Sequence, residues 1–350
     1  MAVAGGRPEV SGAPAVNGLS AADGLPQLVG WPRAGGVSAS AHLPRISSGG
    51  VGRLKRKQLP IIMMASLPVL VVIVFMGLPM VFSALYTLGQ TGGPNAIVAQ
   101  LAQQQVVARH GLTLAVYLHL FGDAAFMQDF LATVWVTVAS VLIQTLIGWI
   151  LALYVRFSHG ALAKVVGTLY VVPLFIPGVI AAYALVTFWN TGGIIAAVAS
   201  HLGDPNLPMP GYTLAAVVIG QVWSGIPFSV LLLASGLQAI PDSYLEAARD
   251  VGASPWNVFF HILLPLNLLP TVIVLTFTGI GVLGSYTIPY LMGPSAPLML
   301  GLAMSRYFST YNEPQQAEAM AIIVFLLAAL LGVLYVWANL RLDRRGSEKV

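Results

Sequence analysis

The sequence predicts an all-α membrane protein that crosses the bilayer six times. Three observations carry this. Of the 350 residues, 57% are hydrophobic and only 8% are charged, against about 25% charged in a soluble domain, and mean hydropathy is +0.83. Six apolar stretches each reach the roughly 20 residues that a bilayer core requires. Lys and Arg gather in alternate connections between them, the pattern that sets membrane topology.

The elements follow in order. Residues 1–50 are rich in Gly, Ala, Pro and Ser and lack apolar periodicity, so they read as a disordered tail. A later translation start, leaving the tail without a role, is the alternative. No basic stretch followed by an apolar run marks a signal peptide there. The transmembrane domain is read as 51–350. Arg53, Lys55, Arg56 and Lys57 lead into span one, Ile61–Thr87, which reads as an uncleaved anchor. Leu88–Phe130 is a longer connection, whose middle, Asn95–Leu120, forms either a short surface helix or a packed loop. Span two is Leu131–Val155, and Arg156 and Lys164 bracket the next loop. Span three, Val165–Trp189, holds Pro173 and Pro177, and span four, Tyr212–Gly236, holds Pro227; all three prolines read as kinks. Span five, Ile262–Met292, is too long for one straight crossing, and Pro265 and Pro270 predict a bent approach. Span six is Ala319–Leu340, followed by Arg341, Arg344, Arg345 and Lys349. None of the six stretches contains Asp, Glu, Lys or Arg.

Six crossings put all of these flanking bases, with Arg249, on one side. The other side carries the bases Arg109 and Arg306 and the acids Asp123, Asp129, Asp204, Glu313 and Glu318. Both termini are therefore expected in the cytoplasm. The net charge of +4 does not imply nucleic acid, because the bases flank spans and form no patch with interleaved aromatics. With no Cys, disulfides, thiolate metal sites and Cys nucleophiles are excluded. The six His are scattered (His42, His110, His119, His159, His201, His261) with no metal-ligand pair in helical spacing. No Gly-x-Ser-x-Gly lies in a span, and no GxxxxGK[ST] occurs, so the chain holds no P-loop of its own.

One polar island interrupts the apolar pattern, EAARDVGASPWNVFFHILLP from Glu246 to Pro265. Ser243 followed by Glu246 reads as a capping box that starts a helix. Gly252 falls where a helix would end in the left-handed conformation. Ser254-Pro255 reads as a second start, an N-cap with proline at the first helical position. The island is thus expected to be two short helices at the membrane surface. Trp256, Phe259 and Phe260 would anchor the second at the interface or in the bundle. An interfacial helix that merely ties two spans together is the plainer reading.

The island resembles the EAA loop of permease subunits of binding-protein-dependent ABC importers. That pattern is Glu-Ala-Ala, three residues, Gly, nine residues, Ile, one residue, Leu-Pro. Glu246-Ala247-Ala248, Gly252, Ile262 and Leu264-Pro265 match every position. The resemblance covers the chain from about Ile61 onward and implies a type I importer permease fold, with residues 242–265 as its cytoplasmic coupling helix loop. It further implies that Glu246, Ala247, Ala248 and Gly252 dock a separate ATPase, flanked by Arg249 and Asp250. ATP and Mg would be bound by that partner and no cofactor by this chain. The implied assembly has an ATPase dimer, a second permease, commonly a homologous chain in this branch, and an extracytoplasmic solute-binding protein, in a bacterial inner membrane.

Polar residues in the spans are the candidates for a translocation path: Tyr183 and Asn190 at the end of span three, with Trp189; Gln221 and Trp223 in span four, with Ser224; and Ser285, Tyr286 and Tyr290 in span five, with Thr287. Such groups either face a cavity or hydrogen-bond helix to helix. The stretch after span five, with Pro289-Tyr290-Leu291 and Met292-Gly293-Pro294, looks like the branch carrying polyamines, ferric iron or phosphonates. Sugar permeases tend to carry Thr-x-Gly-Gly-Pro there. A polyamine-like solute is therefore expected first and a sugar or glycerophosphodiester second, although acids are absent from the apolar stretches. Two other classes stay open. An ion-coupled secondary transporter would need an intramembrane carboxylate or broken helices for the coupling ion, together with internal repeats, and none of these is evident in the sequence. A non-transporting scaffold would use the island for docking alone.

Overall fold

The computed structural model describes residues 66–101, 107 and 111–347, apart from the side chains of 101 and 342–347. The tail 1–50, the basic lead-in, the first residues of span one, Arg109 and Lys349 lie outside the described residues. Helices make up the regular structure, and no strand occurs among the described residues. In order they are α1 (Ser66–Thr87), α2 (Ala96–Leu101), α3 (Ala115–Gly122), α4 (Ala124–Phe157), α5 (Ala161–Leu169), α6 (Gly178–Trp189), α7 (Ile194–His201), α8 (Leu214–Gln238), α9 (Asp242–Asp250), α10 (Pro255–Leu266), α11 (Leu268–Leu283), α12 (Thr287–Met292), α13 (Leu300–Ser309) and α14 (Pro314–Ser347). By length and composition α1, α4, α8, α14 and the stretch Gly178–His201, which joins α6 and α7, can each cross a membrane, and α10 with α11 makes a sixth when taken as one bent span.

The helices do not stop where the apolar runs stop. Helix α4 begins at Ala124, seven residues before the expected Leu131, because Asp123 caps it by accepting from the Ala125 amide at 3.0 Å. Its 34 residues span about 51 Å, longer than a hydrocarbon core. Helix α14 likewise starts at Pro314. The longer helices carry Asp129 and Glu318, so the expectation of acid-free spans holds for the apolar stretches and not for the helices. Among the described residues of the segment 95–120 are the short helix α2 and most of α3, which runs on to Gly122.

Proline explains the breaks. Span three is not one helix: a 3-10 turn occupies Val172–Phe175 around Pro173, and α6 restarts after Pro177. Span five bends by 70° between α10 and α11. Pro270 cannot donate to the Leu266 carbonyl, four residues back, and its ring crowds that carbonyl. Asn267 leaves helical geometry at this point, with φ −99° and ψ 18°. A π-turn over Phe259–Leu263 precedes Pro265, which has no amide hydrogen to offer His261. The crossing then ends at Leu283, and Ser285 and Tyr286 lie in a break before α12, not within a continuous span. Pro227 is absorbed inside α8 without a break.

Packing sets the directions of the passes. Gln144 lies against Gly225 and Ser229, and Gly148 against Ser229 and Leu233, so α4 and α8 run parallel. Arg156 near the end of α4 pairs with Asp242 just past α8, so both helices end at the polar elbow. The Gly211 amide donates to the Trp189 carbonyl at 2.9 Å, which puts the end of α6 beside the start of α8, at the far end. Phe277 meets Tyr335, and Gly279 meets Leu331, so α14 runs antiparallel to α11 and returns toward the elbow. At the far end α1 meets α14, where Gln315 donates to the Tyr86 carbonyl at 3.0 Å. Successive passes therefore alternate in direction, as six crossings require.

Four apolar clusters hold the bundle, one of which, Ala182, Val186, Ala216 and Met292, joins α6, α8 and α12. Phe126, Leu283, Leu300 and Met320 pack the far end; Val136, Val217 and Val282 the middle; Trp149, Leu233, Leu245, Leu263 and Val274 the elbow end. A polar knot sits among them. The Gln144 amide, 1% exposed, donates to the Gly225 carbonyl at 2.9 Å, Ser229 Oγ at 2.6 Å and Thr278 Oγ1 at 3.0 Å, joining α4, α8 and α11. A Cβ at Gly225 would overlap Gln144 Oε1, so the Gln144 side chain would have to shift from its present bonds. Gln144→Leu is expected to lower stability by about 1 kcal/mol, the scale of a buried interhelical hydrogen bond. Thermal unfolding in detergent checks this.

Candidate functional site

The elbow is built from its residues as follows. Helix α9 starts after Pro241 with Asp242 in its first turn, and no side chain caps it. The expected capping box at Ser243 does not form, because the helix begins one residue earlier and Ser243 is itself inside it. Asp242 is instead held by the Arg156 guanidinium, which ties the start of α9 to the end of α4. Leu245 and Ala248 turn inward and are buried. Glu246, Ala247, Arg249 and Asp250 face out. Among the described residues, none of those three charged groups has an ion-pair partner.

The end of α9 is a Schellman motif. The Gly252 amide donates to the Arg249 carbonyl and the Ala253 amide to the Ala248 carbonyl, both at 2.9 Å. Gly252 has φ +74°, in the left-handed region that glycine tolerates. Gly252→Ala places its Cβ in open space, so its cost is conformational alone, about 1–2 kcal/mol. A matching shift in thermal unfolding checks it. Helix α10 then starts as the sequence predicts: Ser254 Oγ accepts from the Asn257 amide at 3.3 Å, with Pro255 in the first turn.

The three aromatics divide. Phe259 packs edge-on against Trp149 at 5.3 Å in the elbow-end core. Trp256 and Phe260 stack at 6.0 Å and 18° while staying exposed, as an interfacial pair does. Asn267 closes the joint by donating to the Leu233 carbonyl of α8 at 3.1 Å. The elbow is thus fixed to the bundle at three places: Arg156–Asp242, the buried Leu245–Ala248 face, and Asn267–Leu233. Sequence reasoning gave Arg156 only as a base flanking span two and missed Asn267 and Gln144. The available signal was an Asn between two prolines and a long amide alone in an apolar span.

The path candidates separate into groups. Tyr286 and Tyr290 are exposed and stacked, 5.6 Å apart and 9° from parallel. Tyr183 is exposed on α6, which packs against α12. Ser285 is half-buried, its carbonyl under Gly301, where a Cβ would come within 2.5 Å. Gln221 is buried inside the bundle and among the described residues its Nε2 has no partner, and Trp223 is half-buried. The Asn190 side chain accepts from the Gly192 amide at 2.8 Å and so shapes the turn after α6.

At the far end Tyr307 donates to Asp123 at 3.3 Å. Burial, then the Asp123 charge, push the Tyr307 hydroxyl up to about 12. Burial raises the Glu313 carboxyl, with the His119 side chain opposing. Among the described residues no group of three or more His, Cys, Asp or Glu could hold a metal ion.

The model of the family described as "Binding-protein-dependent transport system inner membrane component" matches residues 144–347. The chain is 28% identical over 205 residues to the spermidine/putrescine transport system permease protein PotB of Haemophilus influenzae, covering 58% of this chain and 72% of that protein. The match to PotB of Salmonella typhimurium covers 63% of that protein. It is 27% identical over 230 residues to the sulfoquinovosyl glycerol transport system permease protein SmoG of Agrobacterium fabrum, covering 63% and 74%. Among solved structures it is similar to a chain of the bacterial alginate ABC transporter in complex with an alginate pentasaccharide-bound periplasmic protein. The TM-score is 0.65 at 17% identity, over 81% of this chain and 95% of that one, which is a likeness of fold.

Proposed function

The chain belongs to the family of binding-protein-dependent transport system inner membrane components, and on that premise we propose that its elbow, residues 242–265, is the element through which a separate ATPase drives transport. The chain is a multi-pass permease of a type I ABC importer. The single observation behind the proposed coupling is the construction of α9. One face, Leu245 and Ala248, is buried in the bundle, while Glu246, Ala247, Arg249 and Asp250 are offered outward. An outward face recruits a soluble partner, and an inward face fixed to α4, α8 and α11 passes its displacement to the spans. Ala248 contributes by packing the elbow down, and Gly252 by ending α9 so that α10 can turn away. ATP and Mg belong to the partner. Closure of an ATPase dimer would tilt the spans between inward- and outward-open arrangements. A second, homologous permease and an external binding protein complete the assembly. The elbow end would face the cytoplasm, as the flanking Lys and Arg favour.

For the solute, the reading is a polyamine-like cation. The PotB relatives support it. Exposed, stacked Tyr286 and Tyr290 offer faces that attract cations. The same flat faces suit a sugar ring, and the SmoG relative favours that second reading. The test is reconstitution with the ATPase, the partner permease and the binding protein in proteoliposomes. Spermidine or putrescine is expected to stimulate ATP hydrolysis and to enter the lumen. Stimulation by a sugar and by neither amine would replace the first reading with the second. No hydrolysis with any solute, in an assembled complex, would contradict the coupling itself.

A further inference from the structure

The elbow borders a cavity of about 320 Å³. Leu153 and Phe157 of α4, Leu245 of α9, Ala253, and Val258 of α10 line it, with Arg249 as the sole charged group among the described residues. It lies level with the last turn of α4 and the first turns of α10, where a span meets the membrane surface. The exposed Trp256–Phe260 pair sits on the same helix, α10, and marks that level independently. An apolar cavity of this depth favours methylene groups over water. Arg249 is exposed and has no ion-pair partner among the described residues, so the cavity wants an anion with a hydrocarbon tail.

We propose that this cavity binds an anionic phospholipid, with the phosphate at Arg249 and an acyl chain running between α4 and α10 beneath α9. The chain's own N-terminal segment is a poor occupant, because Arg53, Lys55, Arg56 and Lys57 would bring like charge to Arg249. A lipid held there would stiffen the joint between α9 and the spans, so the elbow would transmit motion best in an anionic membrane.

The test uses the full chain in phosphatidylcholine nanodiscs with no ATPase present, so its outcome is separate from that of the docking proposal. Photoactivatable phosphatidylglycerol and phosphatidylcholine probes are compared, and labelled peptides are read by mass spectrometry. Label is expected on residues 153–157 and 258–263, with phosphatidylglycerol favoured about fivefold, the effect of one basic group near a surface. Arg249→Gln, at an exposed position, should bring that preference close to one. Ala253→Trp should fill the cavity and remove the label there while residues 115–122 label as before. If Ala253→Trp does not fold, the Arg249→Gln comparison decides. Equal labelling by both probes in the unaltered chain would overturn the proposal. So would label that persists in folded Ala253→Trp, or an added ATPase that cross-links into 153–157 and displaces the lipid, which would make the cavity a socket for protein.

Discussion

Glu246→Lys is expected to weaken ATPase association by at least about 30-fold while the chain still inserts and folds. The side chain is exposed and has no ion-pair partner among the described residues, so none of the described packing depends on its charge. A carboxylate at the centre of a protein contact is different. Truncating one member of a buried charge pair costs about 2–5 kcal/mol, and reversal adds repulsion. Co-purification with the ATPase and solute-stimulated hydrolysis measure the loss, and thermal unfolding of the isolated chain controls for folding. The neighbouring variant Ser243→Ala should change little, because Ser243 is exposed and caps nothing.

The second large effect lies inside the joint. Gly236→Val is expected to destabilise the chain by about 3 kcal/mol and to shift the elbow. A Cβ at Gly236 would overlap the Asn267 side chain and come within 2.6 Å of the Pro270 ring. Neither neighbour yields easily. Asn267 is buried and bonded to the Leu233 carbonyl, and Pro270 is rigid where α11 departs at 70° from α10. Overpacking a filled core costs about 1–3 kcal/mol, and losing the Asn267 bond adds about 1 kcal/mol. Thermal unfolding measures the stability. Electron paramagnetic resonance distances between labels at residues 247 and 309 measure the shift.

Much of this was legible in the sequence. Apolar length located the spans except the third, where the stretch able to cross is Gly178–His201 and not Val165–Trp189, and Pro265 with Pro270 announced the bend in span five. Gly252 and Ser254-Pro255 announced the end of α9 and the start of α10, because these residues act through local backbone geometry. The misses have a common cause. Ser243 was read as a cap, but Asp242 finds Arg156, 86 residues away, and starts the helix earlier. The ends of α4 and α14 were set too short because Asp129 and Glu318 were counted as loop residues. Asp129 is accommodated by the Leu298 amide at 2.6 Å, a contact no local pattern announces. Gln144 appeared as one polar residue among many apolar ones, and its role exists only once α4, α8 and α11 are side by side. Tyr286 and Tyr290 were named singly, and their stacking follows from the helix that restarts after Gly284.

The chain has no cysteine, so Ala247→Cys carries a unique thiol on the outward face of α9. Cross-linking it to the ATPase in sealed inverted membrane vesicles, with and without ATP, tests coupling through the elbow most directly. A cross-link whose yield changes on ATP binding, together with labelling by an impermeant maleimide from the cytoplasmic side, is the result predicted. Labelling only from the opposite side, or a thiol that stays free in an assembled, ATP-hydrolysing complex, would contradict it.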